Sequence, residues 1–292
     1  MAGDIHPNLL ALLSALFIAA ARMLYQSALG RISPDAVTVL VNFVSVLFAS
    51  AFYRMGAGAD RWPLQGLLWF ALVGFIGSFS GRYLSFVSQR LVGAARTSIV
   101  IQSMLVWSTL LAVLFLGERL TAPVAAGSLL ILAGGVALVS ERGGERRGIP
   151  WLHYLVPLAA AFTFALTFLI RRWGFAWIPS SALGMGVANG TSLVLMTAVL
   201  SLPGGRSVRR WDRRGTGVAV LGGMCNAFSA FCFWSAIQYG EVVQVVPINR
   251  LSVLFVIALS WMYFRKEEAV TWRVAAGGAS SVAGAVLIAA GR

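Results

Sequence analysis

Arginines inside long apolar runs are the most unusual chemical feature of this 292-residue sequence. Five of them lie three or more residues inside a run: Arg22, Arg82, Arg96, Arg250 and Arg273. A charged side chain surrounded by hydrocarbon is costly unless it faces a partner or water. Arg96 and Arg273 stand within about a turn of a run's end, where a long side chain can reach the polar boundary. The other three stand deeper, and we expect them to bind an anionic group or to tie neighbouring helices together.

Arg250 is the clearest candidate for anion binding because it follows Pro247. Proline removes a backbone donor and frees a carbonyl one turn earlier, so a helix bends or breaks there. A planar guanidinium beside such a bend can bind a carboxylate through two parallel hydrogen bonds. Alternatively, Arg250 donates to backbone carbonyls of a neighbouring helix, and the sequence leaves both interpretations open.

The acidic residues all stand between the apolar runs or at their ends: Asp4, Asp35, Asp60, Glu118, Glu141, Glu145, Asp212, Glu241, Glu267 and Glu268. Proton coupling through an embedded carboxylate would need one in the middle of a run. His6 and His153 also stand near run ends, so no acid–base pair is placed for catalysis. Cys225 and Cys232 are seven residues apart. On a helix that spacing is about 10 Å, too far for a disulfide. We predict neither a metal, a cofactor nor an enzymatic activity.

Polar and aromatic side chains recur at helical spacing inside the runs. Because lipid offers no hydrogen bonds, polar stripes should face protein or water inside a bundle. Amides can bind both ends of a zwitterion, and aromatic rings can stack on an apolar side chain. The candidate substrate-binding residues are Tyr25, Ser78, Arg82, Tyr83, Gln102, Trp107, Phe162, Thr163, Thr167, Asn226, Phe231, Trp234, Asn249 and Arg250. We expect Asn226 and Asn249 near the middle of the membrane, with Gln102 opposite them.

The composition places these residues in a membrane protein. Hydrophobic residues make up 59% of the chain, charged residues only 11%, and the mean hydropathy is +0.82. These values exclude a soluble domain and a disordered chain. The net charge is +13, but Lys266 is the single lysine and most arginines lie between the runs. We interpret this charge as a signal of membrane topology and not of nucleic-acid binding.

Ten apolar runs are long enough to cross a bilayer, which takes about 20 residues. They cover roughly 8–29, 35–55, 64–88, 92–116, 121–140, 151–172, 180–201, 214–238, 241–264 and 270–290. They do not alternate apolar and polar residues as the strands of a membrane barrel do. The predicted fold is an all-α integral membrane protein with ten transmembrane helices, located in the inner or plasma membrane.

The two halves of the chain resemble each other at an offset of 150 residues. The identities are Ser85 with Ser235, Glu118 with Glu268, Thr121 with Thr271, 125–127 with 275–277, and Gly134 with Gly284. Five spans per copy is an odd number, so the second copy must enter the membrane in the opposite orientation. We predict a first five-helix repeat at 1–140, a connecting loop at 141–150 and a second, inverted five-helix repeat at 151–292.

One junction carries a family resemblance. Phe-Leu-Gly-Glu-Arg-Leu-Thr at 115–121 is followed by Gly127 and by Leu-Ile-Leu-Ala-Gly-Gly at 130–135. This pattern resembles the junction between spans four and five in the drug/metabolite transporter superfamily. The layout is most similar to the ten-helix metabolite exporters, and among those to the aromatic amino acid exporters. Departures are Arg-Lys-Glu-Glu at 265–268 in the second copy, Ala-Ala-Arg at 20–22 in place of the first span's Trp, and a fourth span without proline.

The resemblance implies a secondary transporter that exports amino acids, with aromatic or large apolar ones favoured, by alternating access through a central cavity. Spans five and ten would stand away from that cavity. The partners would be a small-molecule substrate and the lipid bilayer, without nucleic acid, and a monomer is compatible with the layout. Two alternatives remain. A multidrug or cation efflux carrier predicts an acidic cavity, and an intramembrane enzyme or lipid-handling protein predicts a clustered catalytic set.

Overall fold

The computed structural model describes residues 7–55, 61–116, 122–139, 149–201, 212–239, 249, 251–263 and 272–290. Within these residues the chain forms α1 (Pro7–Leu29), α2 (Pro34–Met55), α3 (Leu64–Val92), α4 (Ala94–Ile101), α5 (Met104–Leu116), α6 (Ala122–Val139), α7 (Leu155–Trp177), α8 (Ser181–Ser201), α9 (Arg213–Tyr239), α10 (Ser252–Tyr263) and α11 (Trp272–Ala290). A 3-10 turn, Trp151–Tyr154, leads into α7. Parts of all ten predicted runs are helical, which confirms the all-α class.

Six helical stretches in these parts of the chain are long and apolar enough to cross a membrane: Pro7–Leu29, Pro34–Met55, Leu64–Val92, Trp151–Trp177, Ser181–Ser201 and Arg213–Ala236. Shorter apolar helices lie at Ala125–Gly134 and Ser252–Tyr263. That ten helices cross the bilayer therefore stays a prediction.

The fourth predicted run is two helices and not one. The backbone N–H groups of Gln102 and Ser103 donate to the carbonyls of Ile99 and Val100, each at 3.0 Å. These bonds reach back three residues instead of four, which tightens the chain and separates α4 from α5. The turn places Gln102, a candidate site residue, at a break between helices.

The middle of α3 is a π-helical stretch, Gly74–Gly81, which ends directly before Arg82. A Cβ atom at Gly74 would lie 2.4 Å from the carbonyl oxygen of Ala188 on α8. A Cβ at Gly81 would lie 2.6 Å from Oγ1 of Thr163 on α7. Side chains cannot fit at such distances, so the glycines let two helices approach α3 at its wide turn.

Gly186 and Gly190 of α8 also have the spacing that is typical of close helix crossings, but they form none with the described residues. A Cβ at Gly186 would meet the Cβ of Ala49 at 3.7 Å, an ordinary contact. A Cβ at Gly190 would meet nothing within 4 Å. The face of α8 that lies against Gly74 of α3 is beside them, at Ala188 and Thr191.

Two long helix pairs join the first half of the chain to the second, α1 with α9 and α3 with α7. In the first pair the Tyr25 hydroxyl donates to the Gly222 carbonyl at 2.9 Å, and the rings of Phe17 and Phe228 lie 4.7 Å apart. Under the offset of 150 residues, α1 corresponds to α7 and α3 to α9. The same pairing therefore occurs twice, with the roles of the halves exchanged.

Two hydrogen bonds join residues that are themselves 150 positions apart. Nδ2 of Asn42 donates to Oγ of Ser192 at 2.6 Å, and the Ser280 hydroxyl donates to the Leu130 carbonyl at 2.9 Å. Two glycine contacts also map onto each other under the offset. A Cβ at Gly134 would lie 2.7 Å from the Gly277 oxygen, and one at Gly284 would lie 2.4 Å from the Gly127 oxygen. From Gly127 to Gly134 on α6, the contacting residue on α11 therefore moves back from Gly284 to Gly277. The two helices are antiparallel.

Exposed aromatic side chains gather at the two ends of α7. At its C-terminal end, Trp173 lies 5.0 Å from Trp69, and the exposed Trp177 lines a pocket with them. Trp151 is exposed at the opposite end. Tryptophan is enriched at both membrane–water boundaries, so this arrangement is typical of a helix that spans a bilayer.

Candidate functional site

Arg82 is held between three helices by two asparagine side chains. Its Nη1 donates to Oδ1 of Asn42 on α2 and to Oδ1 of Asn189 on α8, the latter at 2.8 Å. Nδ2 of Asn42 donates to Ser192, and Nδ2 of Asn189 donates to the Met185 carbonyl at 2.7 Å. Both asparagines are buried, whereas Arg82 is half-buried. We call these four polar residues, Arg82, Asn42, Asn189 and Ser192, the Arg82 cluster.

The sequence predicted Arg82 as a site residue but missed Asn42 and Asn189. Each asparagine stands inside an apolar run, where an amide without a partner is costly. A signal was available, because Thr38 and Ser45 stand at helical spacing from Asn42 and Ser192 stands at helical spacing from Asn189, as in the predicted stripes.

Arg22 is the second half-buried guanidinium in the bundle. Its Nη1 donates to Oγ of Ser98 on α4, and Ser98 in turn donates to the Ala94 carbonyl at 2.7 Å. The side chain lies in the second half of α1, seven residues before its end at Leu29. Its hydrogen-bond partner is neutral, as are those of Arg82.

Asn249 forms part of a contact between helices. Its Nδ2 donates to Oγ of Ser14 at 2.9 Å, and the hydroxyls of Ser14 and Ser229 lie 3.0 Å apart. The Ser229 hydroxyl also contacts the Ser14 carbonyl at 2.8 Å. All three side chains are buried, with Asn249 9% exposed. The amide nitrogen thus ties its own segment to α1.

The other two amides of the predicted site have different surroundings. Gln102 is buried at the break between α4 and α5. Asn226 is half-buried and lies 13 residues from either end of α9, at its middle. Among the described hydrogen bonds none involves the Asn226 side chain, so it is the predicted amide least committed to the fold. Arg250 lies outside the described residues.

The predicted hydroxyl groups mostly serve their own helices. Thr163 and Thr167 donate to the carbonyls of Ala160 and Phe164, at 2.8 and 2.6 Å. Both threonines face the glycines of α3, and Ser78 is half-buried nearby on that helix.

The two predicted tyrosines have different environments. The Tyr25 hydroxyl is buried against α9, as its bond to Gly222 shows, whereas Tyr83 is exposed. Only the first therefore faces the inside of the bundle.

The predicted aromatic residues are engaged with other rings. Trp107 meets Phe162 edge to face at 5.3 Å. Phe231 stacks on Phe52 at 3.9 Å. Trp234 is buried between Phe175, at 5.3 Å, and Arg171, whose guanidinium carbon lies 4.2 Å above the indole ring. Aromatic and cationic groups of α7 and α9 therefore meet inside the bundle.

The charge of the described interior is basic. Asp35 stands in the first turn of α2, and Asp212 precedes α9 and lies 3.7 Å from Arg31. The other eight acidic residues lie outside the described parts of the chain. Where the structure describes the chain, it holds no group of His, Cys, Asp and Glu that could bind a metal. The acidic cavity expected of a cation efflux carrier finds no support in these residues.

Comparison with known proteins gives one family and one fold. The model of the EamA-like transporter family matches the chain twice, at residues 7–140 and 151–290. No curated protein matches the chain. A crystal structure of a protein 22% identical in sequence superposes with a TM-score of 0.67, over 96% of this chain and 95% of the other. That likeness shows the fold alone.

Proposed function

The chain belongs to the EamA-like transporter family, within the drug/metabolite transporter superfamily, and we propose that it exports amino acids by alternating access. The predicted superfamily is confirmed, and so is the prediction of a multi-pass integral membrane protein. Members of this family are transporters and not enzymes. We place this protein in the aromatic amino acid branch and propose aromatic or large apolar amino acids as its substrates, moved outward across the inner membrane.

The contacts between residues 150 positions apart are the observation that carries this proposal. A residue touches its own counterpart only beside a two-fold axis that relates the two copies. The pairs Asn42 with Ser192 and Leu130 with Ser280 fit such an axis, and α6 and α11 cross it antiparallel. Since spanning helices stand upright in the bilayer, we infer an axis in the membrane plane, ten spans and inverted halves at 1–140 and 151–292. Inverted halves are suited to opening a central site first to one side and then to the other.

We propose that the substrate lies among the interior side chains of α1, α3, α4, α7 and α9. Gln102, Asn226, Asn249 and Arg250 would bind its polar end. The aromatic residues around Trp107, Phe231 and Trp234 would contact the side chain. The half-buried amide at the middle of α9 supports this location, because an unsatisfied amide in hydrocarbon is costly unless water or substrate reaches it.

Counterflow in proteoliposomes tests the function. Vesicles loaded with one unlabelled amino acid from a panel should transiently accumulate the labelled form against its gradient. We expect phenylalanine, tryptophan, tyrosine and leucine to give the largest signal and glycine or lysine the smallest. Protein-free vesicles are the control. Counterflow by no member of the panel, from protein shown to be folded, would rule out amino acid transport.

A further inference from the structure

We propose that the substrate must carry a carboxylate, and that Arg82 binds this carboxylate through the edge of the guanidinium formed by Nε and Nη2. The inference deepens the function proposed above and rests on it, because it names the chemical class of the substrate. It follows from the position of Arg82 between Asn42 and Asn189, at the contact between the two halves.

The hydrogen bonds of Arg82 leave one edge of its guanidinium unused. The group has five N–H donors, two of them on Nη1. Asn42 and Asn189 both accept from Nη1, and the described hydrogen bonds of Arg82 involve no other nitrogen. Nε and Nη2 present two parallel N–H groups, the geometry that binds a carboxylate through both oxygens. The side chain is half-buried and not sealed, and the proposal requires that a small molecule reaches it at this edge.

The surrounding residues fix the orientation of that edge. Nδ2 of Asn42 is bound to Ser192 and Nδ2 of Asn189 to Met185. Each amide therefore turns its oxygen toward Arg82, and the guanidinium cannot rotate without breaking bonds on two helices. A group held in its binding orientation before the ligand arrives loses little freedom on binding.

The Arg82 cluster lies at the depth where a substrate site is expected. The bond between Asn42 and Ser192 joins counterparts 150 positions apart, beside the inferred axis. Arg82 is one hydrogen bond away and ten residues before the end of α3 at Val92. Ten helical residues measure about 15 Å, half of a hydrocarbon core of about 30 Å. Substrate sites of inverted-repeat transporters lie at this depth between the halves.

The charge of the neighbourhood selects for an anionic group. The hydrogen-bond partners of Arg82 are amide oxygens, which carry no negative charge. A cation in a poorly hydrated interior is costly, and a carboxylate lowers that cost whereas an ammonium alone raises it. Amino acids and organic acids therefore belong to the proposed class, and their amides do not.

The competing interpretation is that Arg82 only ties α2, α3 and α8 together. Arg82→Lys separates the two roles. Lysine keeps the positive charge and can still donate to Asn42 and Asn189. It lacks the two parallel N–H groups with which arginine binds both oxygens of a carboxylate. A merely structural role would leave the binding of acids unchanged in this variant.

Thermal unfolding of the purified full chain, with acids compared to their amides, tests the proposal. The probes are L-phenylalanine with L-phenylalaninamide and 3-phenylpropionate with 3-phenylpropanamide, and sodium chloride at equal concentration shows the effect of an inorganic anion. We expect each acid, but neither amide nor chloride, to raise the melting temperature of the wild type. Arg82→Lys should melt normally without ligand and bind the acids about tenfold or more weakly, since one charge-assisted hydrogen bond is lost.

Two further variants complete the test. Arg22→Lys makes the same exchange at another half-buried arginine and should keep the stabilisation by acids. Asn42→Asp places a carboxylate beside Arg82 that replaces the substrate's charge, so this variant should fold but lose the response to acids.

Three results would overturn the inference: equal stabilisation by acids and amides, equal stabilisation by chloride, or unchanged acid binding in Arg82→Lys. Loss of acid binding in Arg22→Lys as well would overturn the assignment to the Arg82 edge. Counterflow separates the two proposals. If acids bind but no amino acid is exchanged, the proposed transport fails, whereas exchange of amides as fast as acids refutes the carboxylate requirement alone.

Discussion

Single buried polar side chains determine how these helices meet. Arg82 could be predicted from the sequence because a guanidinium inside an apolar run needs a partner or water. Its partners could not, because Asn42 and Asn189 lie 40 and 107 positions away along the chain. Spacing within one helix shows which residues share a face, but it does not show which faces of distant helices meet.

The hydrogen bond from Arg82 to Asn189 predicts how a substitution at Asn189 changes the free energy of unfolding. Asn189→Leu removes one acceptor from a partly buried cation and should lower the free energy of unfolding by about 2 kcal/mol. Thr197→Val on the same helix is the control, since that exposed hydroxyl bonds only to its own helix. Its effect should stay within about 0.5 kcal/mol. Denaturant unfolding in micelles measures both changes. Equal effects of the two substitutions would contradict a stabilising hydrogen bond from Arg82 to Asn189.

The two central asparagines of the second half should respond differently to leucine. Asn249→Leu breaks the bond to Ser14 and should lower the unfolding free energy by about 1 kcal/mol. Asn226→Leu breaks none of the described bonds, so it should fold normally but bind L-phenylalanine about tenfold more weakly if its amide contacts the substrate. Calorimetric titration and unfolding distinguish the two. Unchanged affinity in Asn226→Leu would remove that residue from the site.

At the scale of helices, the sequence predicted where helices lie but not where they are interrupted. Apolar runs follow directly from the need to bury backbone and side chains in lipid. The turn at Gln102 and the π stretch before Arg82 depend on which helices cross there. Glycines at helical spacing differ for the same reason: Gly77 and Gly81 lie against α7, whereas a Cβ at Gly190 would meet no described atom within 4 Å.

Two glycines of neighbouring helices offer a matched test of this crossing. Gly74→Ala places a methyl 2.4 Å from the Ala188 oxygen, and relieving that clash should cost about 2 kcal/mol or more of stability. Gly190→Ala meets open space, so it should stabilise its helix by about 0.5 kcal/mol. Unfolding of the two variants measures the difference. A neutral Gly74→Ala would mean that α3 and α8 are farther apart.

At the scale of the whole molecule, the duplication was readable from a few identities at one junction. The match of the family model to 7–140 and 151–290 supports two copies. Those identities do not show which surfaces of the two copies are in contact. Gly134, for example, contacts Gly277 and not its counterpart in the sequence, Gly284. The structure adds the contacts beside the inferred axis, and with them the position of Arg82 between the halves.

The central claim, an exchanger that holds its substrate's carboxylate at Arg82, is tested most directly by counterflow of labelled L-phenylalanine. Wild-type protein and Asn42→Asp would be reconstituted at equal density, after both are shown to have equal helix content. We predict a transient accumulation of label in wild-type vesicles loaded with unlabelled L-phenylalanine, and none with Asn42→Asp. Accumulation of the same size with both proteins would contradict the account.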